Sequence, residues 1–129
     1  MYNEIIPNLF LGGQQDAIDF DQKFGESGTI ICVLENRPQD EPFRSYHIPV
    51  RTSSGHVHME QLNQISWFLD KLLDNNVPTL VHCAAGLERS PITVAYHLHL
   101  KNNISVNDAY KLIEQKREGI IEHMEWLVP

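Results

Sequence analysis

One cysteine, an arginine six residues later and the serine after it are the residues of this sequence best suited to chemistry: Cys83, Arg89 and Ser90. A thiolate is a strong nucleophile, and its attack on phosphorus requires hydrogen-bond donors around the non-bridging oxygens of the phosphate. The backbone N–H groups of a short loop supply such donors, and an arginine adds a planar fork of further ones. Residues 83–90 therefore predict a loop that binds a phosphate group and presents a thiolate to it.

The flanking residues must position this loop. Residues 78–82 are largely apolar or β-branched without helical spacing, which predicts a short buried strand ending just before Cys83. Gly86 permits a tight loop, and Pro91 suits the first turn of a helix whose N-terminus would point at the phosphate. We expect His82 to order the loop through backbone hydrogen bonds, not to act as a base. The predicted phosphate-binding loop consists of Ala84, Ala85, Gly86, Leu87, Glu88 and Arg89.

Composition limits the class of protein. A chain of 129 residues that is 42% hydrophobic predicts one core, so we expect residues 1–129 to form a single catalytic domain. The net charge of −7 argues against nucleic-acid and anionic-membrane partners. No apolar run approaches the roughly 20 residues that span a bilayer. Two cysteines make no disulfide scaffold, and a thiolate enzyme suits a reducing compartment, so the expected location is the cytoplasm. A monomer is favoured.

Helical and strand patterns alternate along the chain. Strands are predicted at residues 9–11, 29–34, 46–50 and 78–82, and helices at 15–24, 58–73, 90–101 and 105–116. Residues 35–45 contain two prolines among charges and predict a loop. The expected fold is α/β, with a short, mostly parallel central sheet of about five strands, helices on both faces, and the reactive loop at the carboxyl ends of the strands.

The loop resembles the His-Cys-x5-Arg-Ser motif of cysteine-dependent protein phosphatases, specifically the small dual-specificity group. Residues 3–12, 32–34 and 46–50 are also similar to the strands of that group. The resemblance implies the phosphatase fold, phosphorylated proteins as substrates, and two-step hydrolysis without metal or other cofactor. It assigns Cys83 as the nucleophile that forms a phosphocysteine, Arg89 as the phosphate clamp and Ser90 as the hydroxyl that assists the second step. A pKa lowered into the range of activated cysteines, roughly 3.5–7.5, would keep the Cys83 thiol ionised at neutral pH.

The sequence has no aspartate at the position where the resemblance places the general acid. Relatives carry an aspartate about thirty residues before the nucleophile, but residues 51–55 read Arg-Thr-Ser-Ser-Gly. General acid–base catalysis typically raises the reaction rate by 10²–10⁴-fold, and its loss slows the hydrolysis of alkyl phosphates more than that of aryl phosphates. Either another group substitutes, or the enzyme works without an acid, or the chain only binds phosphate. The candidate substitutes are His56, His58, Glu60 and Asp40.

Several alternatives stay open at this point. His56 and His58 form a His-x-His pair without an apparent third ligand, so we expect solvated histidines and no metal site. Glu88 is expected to point into solvent, although a carboxylate at the mouth of the pocket would repel a second negative charge. Arg51 is a candidate for recognising a second phosphate, and Cys32 for a reversible disulfide with Cys83.

The expected activity is hydrolysis of phosphotyrosine, and hydrolysis of phosphoserine or phosphothreonine stays open. The alternative function is a catalytically weak phosphate-binding module. Action on lipid or RNA phosphates is disfavoured by the acidic net charge and by a loop without added basic residues.

Overall fold

A central five-stranded sheet organises the computed structural model, which describes residues 1–50, 52, 53 and 55–128 and leaves out the side chains of residues 52, 53 and 128. Its strands are β1 (Asn3–Ile6), β2 (Leu9–Gly12), β3 (Thr29–Cys32), β4 (Tyr46–His47) and, further along the chain, β7 (Thr79–His82). Their order across the sheet is β1-β2-β7-β3-β4, with β1 antiparallel to β2 and the other pairs parallel. The predicted α/β fold with a mostly parallel sheet is confirmed.

A second, small sheet was not predicted from the sequence. It consists of β5 (Thr52–Ser53), β6 (His56–His58) and β8 (Leu127–Val128), with the hairpin β5–β6 antiparallel and β8 parallel to β6. Residues 51 and 54 belong to the stretch of sequence in which the acid was expected, and they fall outside the described residues. The hairpin was missed because the alternation around Val57 covers only three residues and its partner, β8, lies about seventy residues away.

Four helices cover the two faces of the main sheet. They are α1 (Asp16–Phe24), α2 (Met59–Asp74), α3 (Arg89–Asn102) and α4 (Val106–Lys116). One face packs Ile30 and Leu80 against Ala17 and Phe20 of α1. The other face, with Leu11, Ile31 and Val81 among its residues, lies in the larger core with α2, α3 and α4. None of these helices is long and apolar enough to cross a membrane within the described part of the chain.

The predicted boundaries hold to within a few residues, with one informative exception. The strand predicted at 46–50 has regular pairing only at Tyr46–His47. Pro49 has no N–H to donate and interrupts the ladder. Single bonds from Ile48 N to Cys32 O and from Val50 N to Val33 O, both 3.0 Å, continue the contact. Ser105 caps α4 as predicted, with its hydroxyl accepting from Asp108 N at 3.0 Å.

The parallel register brings three strand ends together. His82, the last residue of β7, pairs with Gly12 at the end of β2 and with Cys32 at the end of β3. Cys83 follows directly, and α3 begins at Arg89. The loop between them therefore lies at the carboxyl edge of the sheet and at the N-terminus of a helix, where backbone N–H groups favour anions.

Candidate active site

Cys83 lines a cavity of about 300 Å³, and Ser90 lies beside its sulfur atom. The Cys83 Sγ atom is 3.2 Å from the Ser90 Oγ atom, and the Ser90 hydroxyl also lies 3.3 Å from the carbonyl oxygen of Gly12. The hydroxyl has one hydrogen, so it donates to the sulfur when Cys83 is a thiolate, and to Gly12 when the thiol itself acts as donor. Ser90 is thus placed to stabilise a thiolate nucleophile and leaving group.

The loop backbone favours the thiolate form of Cys83. Burial alone would raise the pKa of the thiol. Hydrogen bonds from the Ser90 hydroxyl and from the backbone N–H groups of Ser90, Glu88 and Gly86 outweigh burial and lower the pKa below its ordinary value. These N–H groups converge on the centre of the loop, as a phosphate-binding loop requires.

Arg89 lies on the cavity lining beside Cys83. Its Nε atom is buried and has no hydrogen-bond partner among the residues that the structure describes. Buried donors are nearly always paired in folded proteins, so this N–H is suited to an acceptor brought in by a ligand. Arg89 is the single cationic residue among those lining the cavity: Leu34, Cys83, Ala84, Ala85, Leu87, Glu88, Arg89, Ile121 and Trp126.

His82 bonds to the loop backbone and to a carboxylate that the sequence did not predict. Its Nδ1 atom lies 3.1 Å from the carbonyl oxygen of Cys83, and its Nε2 atom lies 2.8 Å from Oε2 of Glu41. Burial lowers the pKa of His82, but hydrogen bonds with Cys32 and Glu41 and the charge of Glu41 raise it to about 10. A cationic His82 therefore donates from both ring nitrogens and fixes the start of the loop at Cys83.

Cys32, Glu41 and His82 are all buried, and one ligand atom of each lies within 4.8 Å of the others. Glu41 and His82 form an ion pair in which both side chains are fully buried. The other carboxylate oxygen of Glu41, Oε1, has no hydrogen-bond partner in the described part of the chain. Both cysteines are free thiols. Cys32 hydrogen-bonds to His82, and Cys83 belongs to the larger core. The reversible disulfide between the two cysteines stays a prediction.

Arg117, at the end of α4, holds the loop from outside the cavity. Its Nε atom donates to the carbonyl oxygen of Gly86 at 2.9 Å, and Nη2 donates to that of Ala85 at 3.1 Å. Nη1 donates to the Met1 carbonyl and to Oδ1 of Asn3, both at 2.7 Å. Because the carbonyls point outward to Arg117, the N–H groups of the loop are free to face the cavity. Sequence reasoning missed Arg117, which lies 31 residues from Gly86.

The candidate acids do not lie on this cavity. His56 and His58 are exposed on the side of β6 opposite the buried Val57, and Glu60 is exposed in the first turn of α2. Asp40 lies 3.4 Å from Nε2 of Gln14 and lines a neighbouring cavity of about 550 Å³. Among the described residues, neither His56 nor His58 belongs to a group of three side chains whose ligand atoms are close enough to hold a metal ion. Arg51, the candidate for a second phosphate, falls outside the described residues.

Glu88 departs from the expectation of a side chain surrounded only by solvent. It is half exposed, but its Oε1 atom lies 2.8 Å from Nε2 of His123, and it lines the cavity. The sequence offered no signal for this pair, because His123 lies 35 residues away in an irregular segment.

Comparison with known proteins places this site in a family. The family model described as "Dual specificity phosphatase, catalytic domain" matches residues 9–128. This chain belongs to the dual specificity phosphatase family. The predicted resemblance is thereby confirmed.

Relatives of similar sequence agree with this assignment, and solved structures show the same fold. The human proteins named dual specificity protein phosphatase 9 and dual specificity protein phosphatase 6 are each 32% identical over 131 residues, covering 96% of this chain and 34% of theirs. The chain thus spans about a third of the length of these relatives. Human DUSP28 has the same fold, with a TM-score of 0.80 and 17% identity over 96% of this chain and 89% of that chain. A human tyrosine phosphatase-like serine/threonine/tyrosine-interacting protein gives a TM-score of 0.78 at 23% identity, over 97% and 89%.

Proposed function

We propose that this chain is a protein phosphatase that hydrolyses phosphotyrosine through a phosphocysteine intermediate. The observation that carries the proposal is the Cys83 thiol, with its lowered pKa, 3.2 Å from Ser90 in a cavity that Arg89 also lines. Family membership supports a phosphatase. A functional thiol also requires a reducing compartment, so the cytoplasm remains the proposed location.

The first step transfers the phosphoryl group to sulfur. The Cys83 thiolate attacks phosphorus, the S–P bond forms, and the bond from phosphorus to the tyrosine oxygen breaks. The loop N–H groups and the Arg89 guanidinium hold the non-bridging oxygens as their charge redistributes. The leaving tyrosine oxygen takes the electron pair of the broken bond and then a proton.

The second step restores the enzyme. Water attacks phosphorus and gives up one proton to the solvent, the P–S bond breaks with its electron pair on sulfur, and inorganic phosphate leaves with the hydroxyl of that water. The Ser90 hydroxyl donates to the departing sulfur of Cys83, which stabilises the thiolate as a leaving group.

Two features support phosphotyrosine over phosphoserine. The cavity walls include four apolar side chains that suit an aromatic ring: Leu34, Leu87, Ile121 and Trp126. The candidate acids lie off the cavity, and a phenol with a pKa near 10 leaves without protonation far more readily than an alkyl alcohol.

The experiment compares two peptides of one sequence that carry phosphotyrosine or phosphoserine. We expect kcat/KM to be at least about 10²-fold higher for the phosphotyrosyl peptide than for the phosphoseryl peptide. This factor is the lower end of the rate enhancement that a general acid supplies. The Cys83→Ser variant should hydrolyse neither peptide. Equal rates on both peptides, or activity that survives Cys83→Ser, would reject the proposal.

A phosphate-binding module is the second candidate. It is favoured by one observation: His56, His58, Glu60 and Asp40 are all absent from the residues that line the described cavity. In this case the phosphotyrosyl peptide binds, Arg89→Ala abolishes binding, and no phosphate is released in a single-turnover experiment. Release of one equivalent of phosphate per Cys83 would exclude the module.

A further inference from the structure

The mouth of the cavity carries a fixed negative charge. Glu88 lines the cavity beside Cys83 and Arg89, and its side chain is 51% exposed. Its Oε1 atom accepts a hydrogen bond from Nε2 of His123 at 2.8 Å. Any group that binds against Arg89 in this cavity therefore shares the cavity with the Glu88 side chain.

His123 is itself held firmly. Its Nδ1 atom donates to Oε2 of Glu125 at 2.7 Å, and its ring stacks on Trp126 with centroids 3.6 Å apart and planes 2° apart. Burial lowers the pKa of His123, but hydrogen bonds and charges from Glu125 and Glu88 raise it above its ordinary value. Because both ring nitrogens lie within hydrogen-bond distance of carboxylate oxygens, which only accept, His123 donates from both and is cationic. The three side chains together then carry one net negative charge at this edge of the cavity.

The main chain keeps this arrangement against the loop. We call residues 117–126 the C-terminal strap. Arg117 bonds to Ala85 and Gly86, Ile121 N donates to the Leu87 carbonyl at 2.7 Å, and His123 pairs with Glu88. Four consecutive loop residues are therefore bonded to the strap, and the carboxylate of Glu88 is held near the mouth and not free to turn away.

A charge in this place discriminates between substrates. The first phosphate of a substrate is matched by Arg89 and the loop N–H groups. A second phosphate on a neighbouring residue would meet Glu88, and the described lining offers no further cation to neutralise it. Near the surface, repulsion between a dianion and one carboxylate several ångströms away is worth about tenfold in binding.

We propose that Glu88, positioned by His123, makes this site selective for singly phosphorylated segments and rejects segments that carry a second phosphate next to the first. The inference rests on the proposed function, since it assumes that the cavity takes a phosphomonoester. Glu88 acts on specificity and has no part in breaking bonds, and His123 is a positioning residue.

The test uses two peptides of one sequence, one with phosphotyrosine alone and one with an additional phosphothreonine two residues away. The readout is the ratio of kcat/KM for the singly over the doubly phosphorylated peptide. We expect a ratio of about ten in the wild type and a fall to within about twofold of unity in Glu88→Gln. The control Glu114→Gln removes the same charge from the exposed face of α4 and should leave the ratio unchanged. A ratio that Glu88→Gln does not move overturns the inference.

The His123→Gln variant tests the direction in which the ratio of kcat/KM values changes. Glutamine retains an N–H that can donate to Glu88 but removes the positive charge, so the rim becomes more negative. The ratio should then rise above that of the wild type. A merely structural role predicts loss of stability without this rise, and a ratio that falls or stays constant contradicts the positioning role.

Binding measurements separate this inference from the proposed function. In a Cys83→Ser background, calorimetry with the same two peptides gives the ratio of Kd values without turnover. If neither peptide binds or is hydrolysed, the proposed function fails. If the singly phosphorylated peptide binds and Glu88→Gln leaves the ratio of Kd values unchanged, only the selectivity fails.

Discussion

The guanidinium Nε atom of Arg117 lies 2.9 Å from the carbonyl oxygen of Gly86, and Arg117 is not among the described residues that line the Cys83 cavity. A loop can direct its N–H groups inward only if its carbonyls find donors outside. Arg117 provides these donors for both Ala85 and Gly86 and links them to the N-terminus of the chain through Met1 and Asn3. A residue far from the motif thus shapes the anion site.

Arg117→Met should weaken both activity and stability. It removes charged donors from four acceptors, and a hydrogen bond to a charged group is worth about 1.5–3 kcal/mol, so we expect the free energy of unfolding to fall by at least about 2 kcal/mol. Loss of loop geometry should lower kcat/KM at least about tenfold. Urea unfolding and steady-state kinetics measure the two effects.

Arg44→Met is the matched control for that change. Arg44 forms a partly exposed ion pair with Asp21 at 3.1 Å, and such pairs are worth about 0–1 kcal/mol. We expect little change in either quantity. Equal effects of the two substitutions would show that Arg117 does not hold the loop.

Gly86→Ala should lower the free energy of unfolding by more than the backbone strain of a positive φ alone would. Gly86 has a φ of +75°, and a Cβ atom there would lie 2.6 Å from the backbone carbon of Gly12. Gly55 has a φ of +80° with no atom within 4 Å of its Cβ position among the residues described. Gly55→Ala should therefore cost about 1–2 kcal/mol, while Gly86→Ala should cost clearly more and abolish phosphate binding. Similar unfolding free energies for the two variants would contradict the close packing of Gly86.

The Glu41–His82 ion pair predicts a dependence of stability on pH. Burial lowers the pKa of His82 in the folded protein, but hydrogen bonds with Cys32 and Glu41 and the charge of Glu41 raise it from 6.5 to about 10. The stabilisation is therefore fully present below pH 6.5 and is lost as the pH rises through about 10. The free energy of unfolding of the wild type should decline across this window.

Glu41→Gln should make that decline smaller, because it removes the negative charge that helps to raise the pKa of His82. It should also lower the stability near pH 6 by about 3–5 kcal/mol, because it leaves a buried group without its charged partner. Urea titrations at several pH values between these two pKa values measure both effects. A variant with the same slope as the wild type would show that this pair does not titrate as described.

Ser90→Ala should make Cys83 less reactive at low pH. Ser90 supplies the side-chain hydrogen bond that lowers the pKa of the thiol. Alkylation of Cys83 by iodoacetamide, followed by peptide mass spectrometry, gives the pH midpoint of thiolate formation. We expect the wild-type midpoint to lie below the ordinary value of about 8.5 and the midpoint of Ser90→Ala to be higher. Identical midpoints would assign the lowered pKa to the backbone N–H groups alone.

The sequence allowed prediction of those parts of the molecule that depend on near neighbours. The spacing from Cys83 to Ser90 and the cap at Ser105 involve residues less than two helical turns apart, and both have the predicted surroundings. Long-range partners carry no comparable local pattern. Glu41 was one charge among several in a loop, and nothing near it in the chain pointed to His82, 41 residues away.

The proposed function requires that Cys83 becomes phosphorylated during turnover. The most direct test is rapid mixing of the protein with a radiolabelled phosphotyrosyl peptide, followed by denaturing electrophoresis. We predict label on the wild-type protein, more of it on Ser90→Ala because breakdown of the intermediate is slowed, and none on Cys83→Ser. Release of phosphate by the wild type without label on any form of the protein, or label that persists in Cys83→Ser, would contradict the account.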